Sequence, residues 1–125
     1  MKSDGRVFGL LAHYEKEPIS FEDSRWDRQE FEVGVDSGQE GIFDFTSFKK
    51  DELVKGLKRL YKNDPICPED PWYSFCCDRT LAEMGAGVIP GGAVSSSGYG
   101  DGVYTCSTVK SEKKVIGILI DYGVE

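Results

Sequence analysis

The sequence is poor in histidine and in basic residues, and both shortages exclude some classes of function. It contains a single histidine, His13, and its 15 basic residues are outnumbered by 22 acidic ones, which gives a net charge of −7. A nucleophilic cysteine or serine would therefore have only one histidine available as a base. The negative charge would repel a phosphate backbone, and no basic stripe offsets it, so we expect no nucleic-acid partner.

Long apolar runs and paired cysteine motifs are also missing. No stretch approaches the roughly 20 apolar residues that cross a bilayer, and residues 1–5 lead into the chain without the hydrophobic region of a signal peptide. The four cysteines, Cys67, Cys76, Cys77 and Cys106, show no C-x-x-C spacing. We therefore expect a cytoplasmic protein with no membrane partner and no cofactor, whose cysteines remain thiols.

The length and the order of the patterns predict one domain over residues 1–125, of the α+β class. Residues 6–13, 30–36 and 41–45 are strand-like, and the second of these alternates apolar with polar residues. Between the first two, residues 14–29 are rich in charge and form a long excursion, with a helical turn expected near 23–28 and Trp26 as its tether. Further strands are predicted at 87–89, 93–97, 103–110 and 115–122. The last two form a hairpin, and residues 115–120 form a central strand.

Two amphipathic helices are expected between these strands. Over residues 47–62, apolar side chains recur at steps of three and four, Ser47 can cap the start, and Pro65 follows the end. The second helix is expected to cover residues 72–84. Asp70 supplies an N-cap and Pro71 a first-turn proline, and Gly85 supplies the left-handed residue that ends a helix. Strands followed by helices and then by strands, without regular βαβ alternation, predict a mostly antiparallel sheet.

The most informative segment is the loop Val94 to Tyr104, which carries three serines, three glycines and Asp101 between β-prone runs. Its amides could form a nest for an anion, or its polar side chains could meet a ligand. A hairpin connection in which Asp101-Gly102 supplies the positive dihedral angles is the favoured alternative. Among Trp72, Tyr73, Tyr99 and Tyr104, which could line a pocket near this loop, Tyr99 is our choice for an exposed contact, because glycines flank it.

A second turn contains Asp36, Ser37, Gly38 and, further on, Asp44. It lacks the alternating oxygen ligands and the twelfth-position glutamate of an EF-hand, so an Asx-type turn is favoured over a cation site. If Asp36, Asp44 and Asp101 converged in space, they could hold Mg²⁺ or share a proton. We expect the Asp36 and Asp101 turns to lie side by side and to form one recognition surface.

Catalytic motifs are weak along the whole chain. Cys76 or Cys77 could pair with His13, but adjacent helical residues point about 100° apart, so at most one could face a given site. An inert buried thiol is favoured, because unpaired cysteine behaves as a small hydrophobic residue. The serines of the loop do not form a Gly-x-Ser-x-Gly elbow, no zinc-ligand spacing occurs, and no Walker lysine follows the glycines.

Two ordered motifs resemble a known bacterial family. They are Val35-Asp36-Ser37-Gly38 with a following Phe43-Asp44, and Ser96-Ser97-Gly98-Tyr99-Gly100-Asp101-Gly102-Val103-Tyr104. Together they are similar to the G-V-D-[SA]-G…F-x-D and S-S-G-[WY]-G-D-G-x-Y segments of domain of unknown function 4241. The likeness covers roughly residues 31–125. This chain departs from longer members in lacking an extra N-terminal portion and in its 72–77 helix, which indicates a compact subgroup.

The resemblance implies no activity that can be carried over to particular residues. By analogy with small bacterial conflict-system proteins, the leading hypothesis is a non-enzymatic binding protein, immunity- or antitoxin-like. It would engage a protein partner, such as a toxin, through its acidic face and the 95–104 loop. The alternative is a small-molecule binder or enzyme for a nucleotide- or polyol-like ligand. The predicted binding residues are Asp36, Ser37, Gly38, Asp44, Ser96, Ser97, Gly98, Tyr99, Gly100, Asp101 and Tyr104, and the pocket of the alternative would join Asp36, Asp44, Ser97 and Asp101.

Overall fold

The computed structural model describes residues 2–3, 5–14, 16–62 and 65–123. It contains nine strands and one α-helix over these residues. The strands are β1 (Lys2–Ser3), β2 (Arg6–Val7), β3 (Gly9–His13), β4 (Asp27–Val35), β5 (Gln39–Phe43), β6 (Ala86–Ile89), β7 (Gly92–Ser96), β8 (Gly102–Ser111) and β9 (Lys114–Asp121). The α-helix is α1 (Pro71–Leu81), and a 3-10 turn covers Asp51–Val54.

All strand pairs are antiparallel, so the predicted α+β class with a mostly antiparallel sheet is confirmed. A four-stranded sheet has the order β3-β9-β8-β4, a three-stranded sheet has the order β5-β7-β6, and β1 pairs with β2. The central strand expected at 115–120 is β9, which lies between β3 and β8. Its hairpin with β8 turns through Glu112 and Lys113, both with positive φ, as two-residue hairpin loops require.

The core has three parts, which correspond to successive layers. The two main sheets pack through Leu10 and Ile120 of the larger sheet and Ile42 and Ala93 of the smaller one. The other face of the smaller sheet packs on α1 through Val94, Trp72 and other residues. On the outside of the larger sheet, Ile19 and Trp26 of the long excursion cover Gly117. Among the described residues, no helix is both long and apolar enough to span a bilayer.

Helix α1 begins where the sequence predicts it. Asp70 is the N-cap, its side chain accepts a hydrogen bond from the Tyr73 amide, and Pro71 occupies the first turn. The helix ends at Leu81 rather than at 84, because Ala82 is extended. Gly85 still has the left-handed conformation expected of it, with φ of 68°, but it lies beyond the helix in the turn before β6.

The helix predicted over residues 47–62 is wrong, because only the 3-10 turn at Asp51–Val54 forms there. Lys49 and Gly56 both have positive φ, which interrupts a right-handed helix. Further along, the amides of Leu60 and Tyr61 donate to the carboxylate of Asp78 on α1. The first part of this segment therefore forms only isolated turns, such as the bond from the Leu57 amide to the Val54 carbonyl, and its last part is bonded to a side chain of α1. Val54 and Leu57 still enter the core.

The helical turn expected near residues 23–28 is also absent from the structure. Asp27 and Arg28 already belong to β4, and the segment before them consists of turns. Trp26 tethers this segment as expected, because its indole N–H donates to the Ser20 carbonyl at 2.8 Å and its ring packs against Gly117. The fixed excursion therefore covers the outer face of the larger sheet.

Candidate functional site

The two turns singled out in the sequence are direct neighbours. The Gly38 amide donates to the Asp101 carboxylate at 2.8 Å, and the Ser97 amide donates to the Gly38 carbonyl at 3.1 Å. The second of these bonds continues the β5–β7 ladder by one residue, so the pairing of the strands itself brings the two loops together. The side-by-side arrangement expected from the sequence is therefore present.

Two hydroxyl groups of the 94–104 loop are used inside the loop, and a backbone amide fastens it to the residue before β6. The Ser97 hydroxyl, 1% exposed, donates to the Gly100 carbonyl at 2.7 Å, and the Tyr104 hydroxyl donates to the same oxygen. The Ser96 amide donates to the Gly85 carbonyl at 2.8 Å. These bonds stabilise the turn from within. The predicted hairpin connection is nevertheless wrong, because β7 and β8 belong to different sheets, and the positive φ angles are those of glycines such as Gly98 and Gly100 and not that of Asp101.

Tyr99 is the part of this loop that reaches solvent. Its side chain is 63% exposed, and the Arg6 guanidinium lies 4.9 Å from its ring centroid. Arg6 also donates to the Gly98 carbonyl at 3.3 Å. The ring is thus held in place by an arginine while one face stays accessible, an arrangement suited to contact with a partner.

Asp44 does not join this junction. It follows β5 at the end opposite to Gly38, and five extended residues separate the two by roughly 20 Å. Its side chain accepts a hydrogen bond from the Thr46 amide, and Asp36 is an exposed residue of the other turn. The pocket expected to join Asp36, Asp44, Ser97 and Asp101 is therefore not assembled. Within the described part of the chain, no group of three or more histidine, cysteine, aspartate or glutamate side chains could hold a metal ion.

A cavity of about 480 Å³ lies between β5, the N-terminal half of α1 and the segment before the 3-10 turn. Its volume falls in the range of small-ligand sites. Of the predicted site residues, Ser37 borders it, and so do Trp72 and Tyr73 from the set of candidate pocket aromatics. The lining residues are Ser37, Gln39, Glu40, Gly41, Phe43, Phe48, Lys49, Asp51, Asp70, Trp72, Tyr73, Cys76 and Val94.

The apolar wall of the cavity consists of three aromatic rings. The ring of Trp72 lies 5.0 Å from that of Phe43 and 5.2 Å from that of Phe48, centroid to centroid. Gly41 makes this packing possible, because a Cβ there would lie 2.4 Å from the Phe43 ring. A residue with a side chain at position 41 would therefore displace the Phe43 ring from the aromatic wall.

Trp72 also has an unsatisfied donor. The residue is 4% exposed, and none of the described residues accepts a hydrogen bond from its indole N–H. A buried donor without a partner costs about 1–3 kcal/mol, so such a group in a native protein calls for an explanation. Because Trp72 borders the cavity, a ligand that carries a hydrogen-bond acceptor could supply the missing partner.

The charges around the cavity are mainly negative. Glu40, Asp51 and Asp70 line it, against the single cation Lys49. Asp51 accepts a hydrogen bond from the Trp72 amide at 3.1 Å, and Lys49 lies 5.5 Å from the Phe48 ring centroid. Desolvation by burial raises the pKa of Glu40, although the Gly41 amide donates to its carboxylate at 3.2 Å. A cationic or neutral group is favoured here over an anion.

The register of β5 and β7 places Glu40 opposite Ser95, beside a buried hydroxyl pair. The Ser95 and Tyr122 hydroxyls are 2.9 Å apart and both residues are at most 2% exposed. Desolvation by burial raises the pKa of Tyr122 to about 12. The pair therefore holds a neutral tyrosine between the two main sheets, and Tyr104 packs edge-on against it at 5.1 Å.

Sequence reasoning missed the buried ion pair of α1. The Arg79 guanidinium lies 2.6 Å from the Asp78 carboxylate, and it also donates to the carbonyls of Lys58 and Val88. Desolvation by burial would raise the pKa of Asp78, but hydrogen bonds from the Leu60 and Tyr61 amides and from Arg79 lower it overall. In the sequence, the one sign that Asp78 and Arg79 are buried is that they follow the apolar residues Phe75 and Cys76 on the same helix.

Cys76 and Cys106 are buried, whereas Cys77 is partly buried and Cys67 is exposed. Burial raises the pKa of Cys76 to about 12, with a smaller contribution from Cys77, so little thiolate forms near neutral pH. The Cys77 sulfur accepts a hydrogen bond from the Gln39 side chain at 3.3 Å. Gln39 also contacts Tyr73 and Thr80, so this side chain joins β5 to α1 along the floor of the cavity.

Comparisons with protein-family models, curated proteins and solved structures find no match to this chain. The resemblance to domain of unknown function 4241 therefore stays a prediction.

Proposed function

We propose that this chain is a binding protein and that the cavity between β5 and α1 is its recognition site. The observation that carries the proposal is the combination of an aromatic wall, an unpaired Trp72 indole N–H and a surplus of carboxylates around about 480 Å³ of space. A fitting ligand group has an apolar body, a hydrogen-bond acceptor and a positive or neutral charge.

This proposal changes the expected ligand class. A nucleotide-like ligand would bring phosphate charge toward Glu40, Asp51 and Asp70, with Lys49 alone to offset it. Repulsion in a partly buried site is weakly screened, so a cationic group is the better fit. A cytoplasmic location is part of the proposal, and it is supported by four cysteines that are all unpaired.

The test uses the intrinsic fluorescence of Trp72. In the Trp26→Phe variant Trp72 is the only tryptophan, and we expect saturable changes on addition of tyramine, a cation whose phenol oxygen can accept a hydrogen bond. The matched anion 3-(4-hydroxyphenyl)propionate has the same ring and a similar chain length, and it should bind at least about tenfold more weakly. The Trp72→Phe variant, which keeps Trp26, should show no change. Equal binding of cation and anion, or a response of Trp26 alone, would contradict the proposal.

A second candidate site is the exposed Tyr99 beside Arg6. This pair favours the protein-partner hypothesis, because tyrosine and arginine dominate the binding energy of many interfaces. In an immunity- or antitoxin-like role, the chain would draw its protein partner, such as a toxin, to the acidic surface electrostatically. Replacement of Tyr99 by alanine should weaken such a complex by at least about tenfold while the response of Trp72 to tyramine stays unchanged.

A further inference from the structure

The outer edge of β5 has no strand partner among the described residues, because β5 is the first strand of the order β5-β7-β6. The bonds from the Ser97 amide to the Gly38 carbonyl and from the Asp44 amide to the Gly91 carbonyl set the phase of the β5–β7 ladder. Bonded pairs alternate along an antiparallel ladder, so Glu40 and Ile42 also bond to β7. The alternate residues of β5 direct their backbone N–H and C=O groups away from β7, toward the open edge.

These outward residues are Gln39, Gly41 and Phe43, and all three border the cavity. Their N–H and C=O groups repeat at intervals of roughly 6.8 Å, which is the repeat of an extended peptide. The Gly41 amide is covered by the side chain of Glu40 at 3.2 Å, and the Gln39 carbonyl accepts from the Ser37 hydroxyl at 3.5 Å. Both are long side-chain contacts that a new strand could replace.

We propose that β5 accepts a basic, extended peptide of a partner protein as an added strand, with one of its side chains in the cavity. This inference rests on the proposed function, and it specifies the ligand as a peptide segment. Main-chain hydrogen bonds to an open edge supply affinity in this mode, and the adjacent pocket supplies specificity. The segment needed to follow β5 from Ser37 to Phe43 has about seven residues.

The chemistry of the peptide follows from the walls of the cavity. The aromatic wall of Phe43, Phe48 and Trp72 fits an apolar anchor side chain. Asp51 and Asp70 are exposed and border the same space, so lysine or arginine next to the anchor would meet opposite charge. The net charge of −7 would also speed the encounter with a basic segment.

The experiment begins with selection from a phage-displayed library of random linear peptides against the whole 125-residue chain. We expect enrichment of sequences in which lysine or arginine alternates with apolar or aromatic residues. One enriched peptide is then synthesised with N-methyl groups on alternate amides, in the two possible phases. Strand addition requires that one phase lose at least about tenfold in affinity and that the other bind within about threefold of the parent.

Hydrogen exchange locates the added strand. On binding, the amides of Gln39, Gly41 and Phe43 should become protected, whereas the open edges of β4 and β6 should not change. The Glu40→Gln variant should weaken binding of the basic peptide, and the matched Glu112→Gln variant at the β8–β9 turn should not.

The inference is overturned if no peptide is enriched, if the enriched peptides are acidic, if both N-methylated forms bind alike, or if protection appears at β4 or β6. Fragment binding to Trp72 without a peptide on β5 would reject the inference and leave the proposed function standing. Loss of both responses would reject both.

Discussion

The Gly38 amide and the Asp101 carboxylate, 63 residues apart in sequence, are joined by a hydrogen bond of 2.8 Å. This bond closes the junction between the turn before β5 and the loop before β8. The junction sits at one end of β5, whose edge and aromatic wall border the cavity. The two motifs that stand out in the sequence thus anchor one end of the site, and the cavity occupies the space beside them.

The first prediction concerns this junction. Replacement of Asp101 by asparagine weakens a charge-assisted bond to an amide, and because the turn is exposed, we expect a loss of about 1 kcal/mol in the free energy of unfolding. Urea denaturation measures this change, and the amide resonance of Gly38 should move with it. The neighbouring Asp36→Asn variant is the control. An unchanged Gly38 resonance in the Asp101 variant would show that the bond does not form in solution.

The second prediction concerns the ion pair on α1. Replacement of Asp78 by asparagine leaves the Arg79 guanidinium without its counter-charge in a buried position and weakens the bonds from the Leu60 and Tyr61 amides. Removal of one partner of a buried pair costs about 3 kcal/mol or more. Urea denaturation should detect this loss, whereas Asp23→Asn, which removes one charge of an exposed pair with Arg25, should change stability little. Similar stability of the two variants would contradict the structural role of Asp78.

The same carboxylate should contribute to acid stability. The pKa of Asp78 is lowered in the folded protein, so its stabilisation is present above the ordinary pKa of 3.8 and is lost as the pH falls through the lower folded value. We expect the unfolding free energy of the wild type to drop below about pH 4 more steeply than that of the Asp78→Asn variant. Parallel pH profiles of the two proteins would be inconsistent with this direction.

The side chains of Asp78 and Arg79 also help to explain why the helix predicted at 47–62 does not form. The apolar spacing there was helical, and Val54 and Leu57 do reach the core. At residues 58–61, however, the backbone is bonded to Asp78 and Arg79, which lie about twenty residues later in the chain, and no local pattern indicates such a partner. In contrast, α1 and the β8–β9 hairpin were predictable, because their caps, prolines and alternating residues act within a few positions.

The site could be predicted only in part for a related reason. The adjacency of the Asp36 and Asp101 turns was anticipated, and Tyr99 is exposed as expected. The cavity depends on which edge of β5 stays open and on the approach of Trp72 to Phe43, and both are set by the order of strands. The motifs rich in serine and glycine indicated the 94–104 loop as the site, but the Ser97 and Tyr104 hydroxyls bond within that loop and the Ser95 hydroxyl bonds to Tyr122.

A further prediction concerns the Ser95–Tyr122 pair. Either Ser95→Ala or Tyr122→Phe leaves one buried hydroxyl without a partner, so each variant should lose about 1–3 kcal/mol. The double variant removes both groups and should lose less than the sum of the two. A double-mutant cycle by chemical denaturation measures the coupling. Strict additivity would indicate that the two hydroxyls do not interact.

Alkaline pH provides an independent measurement of the same tyrosine. Burial raises the pKa of Tyr122 to about 12 from the ordinary value of 10.0, so the stability it provides is complete below pH 10 and is lost between these values. Wild-type protein should lose stability more steeply across this window than Tyr122→Phe. An equal slope would contradict the buried neutral state of Tyr122.

Thiol reactivity should follow burial. Cys67 is exposed, whereas Cys76 and Cys106 are buried and burial raises the pKa of both. In the folded protein at pH 8, iodoacetamide should therefore modify Cys67 well before Cys76 or Cys106, as peptide mass spectrometry can show. In urea all four cysteines should react at similar rates. Rapid modification of Cys76 in the folded state would indicate that the wall of the cavity is open.

The recognition role of the cavity is tested most directly by nuclear magnetic resonance during titration with tyramine. We expect the Trp72 indole N–H and the Gly41 amide to shift together with a single dissociation constant, while Tyr99 and Gly100 stay unchanged. Shifts confined to Tyr99 and Gly100 would place binding on the exposed loop and would contradict a recognition site between β5 and α1.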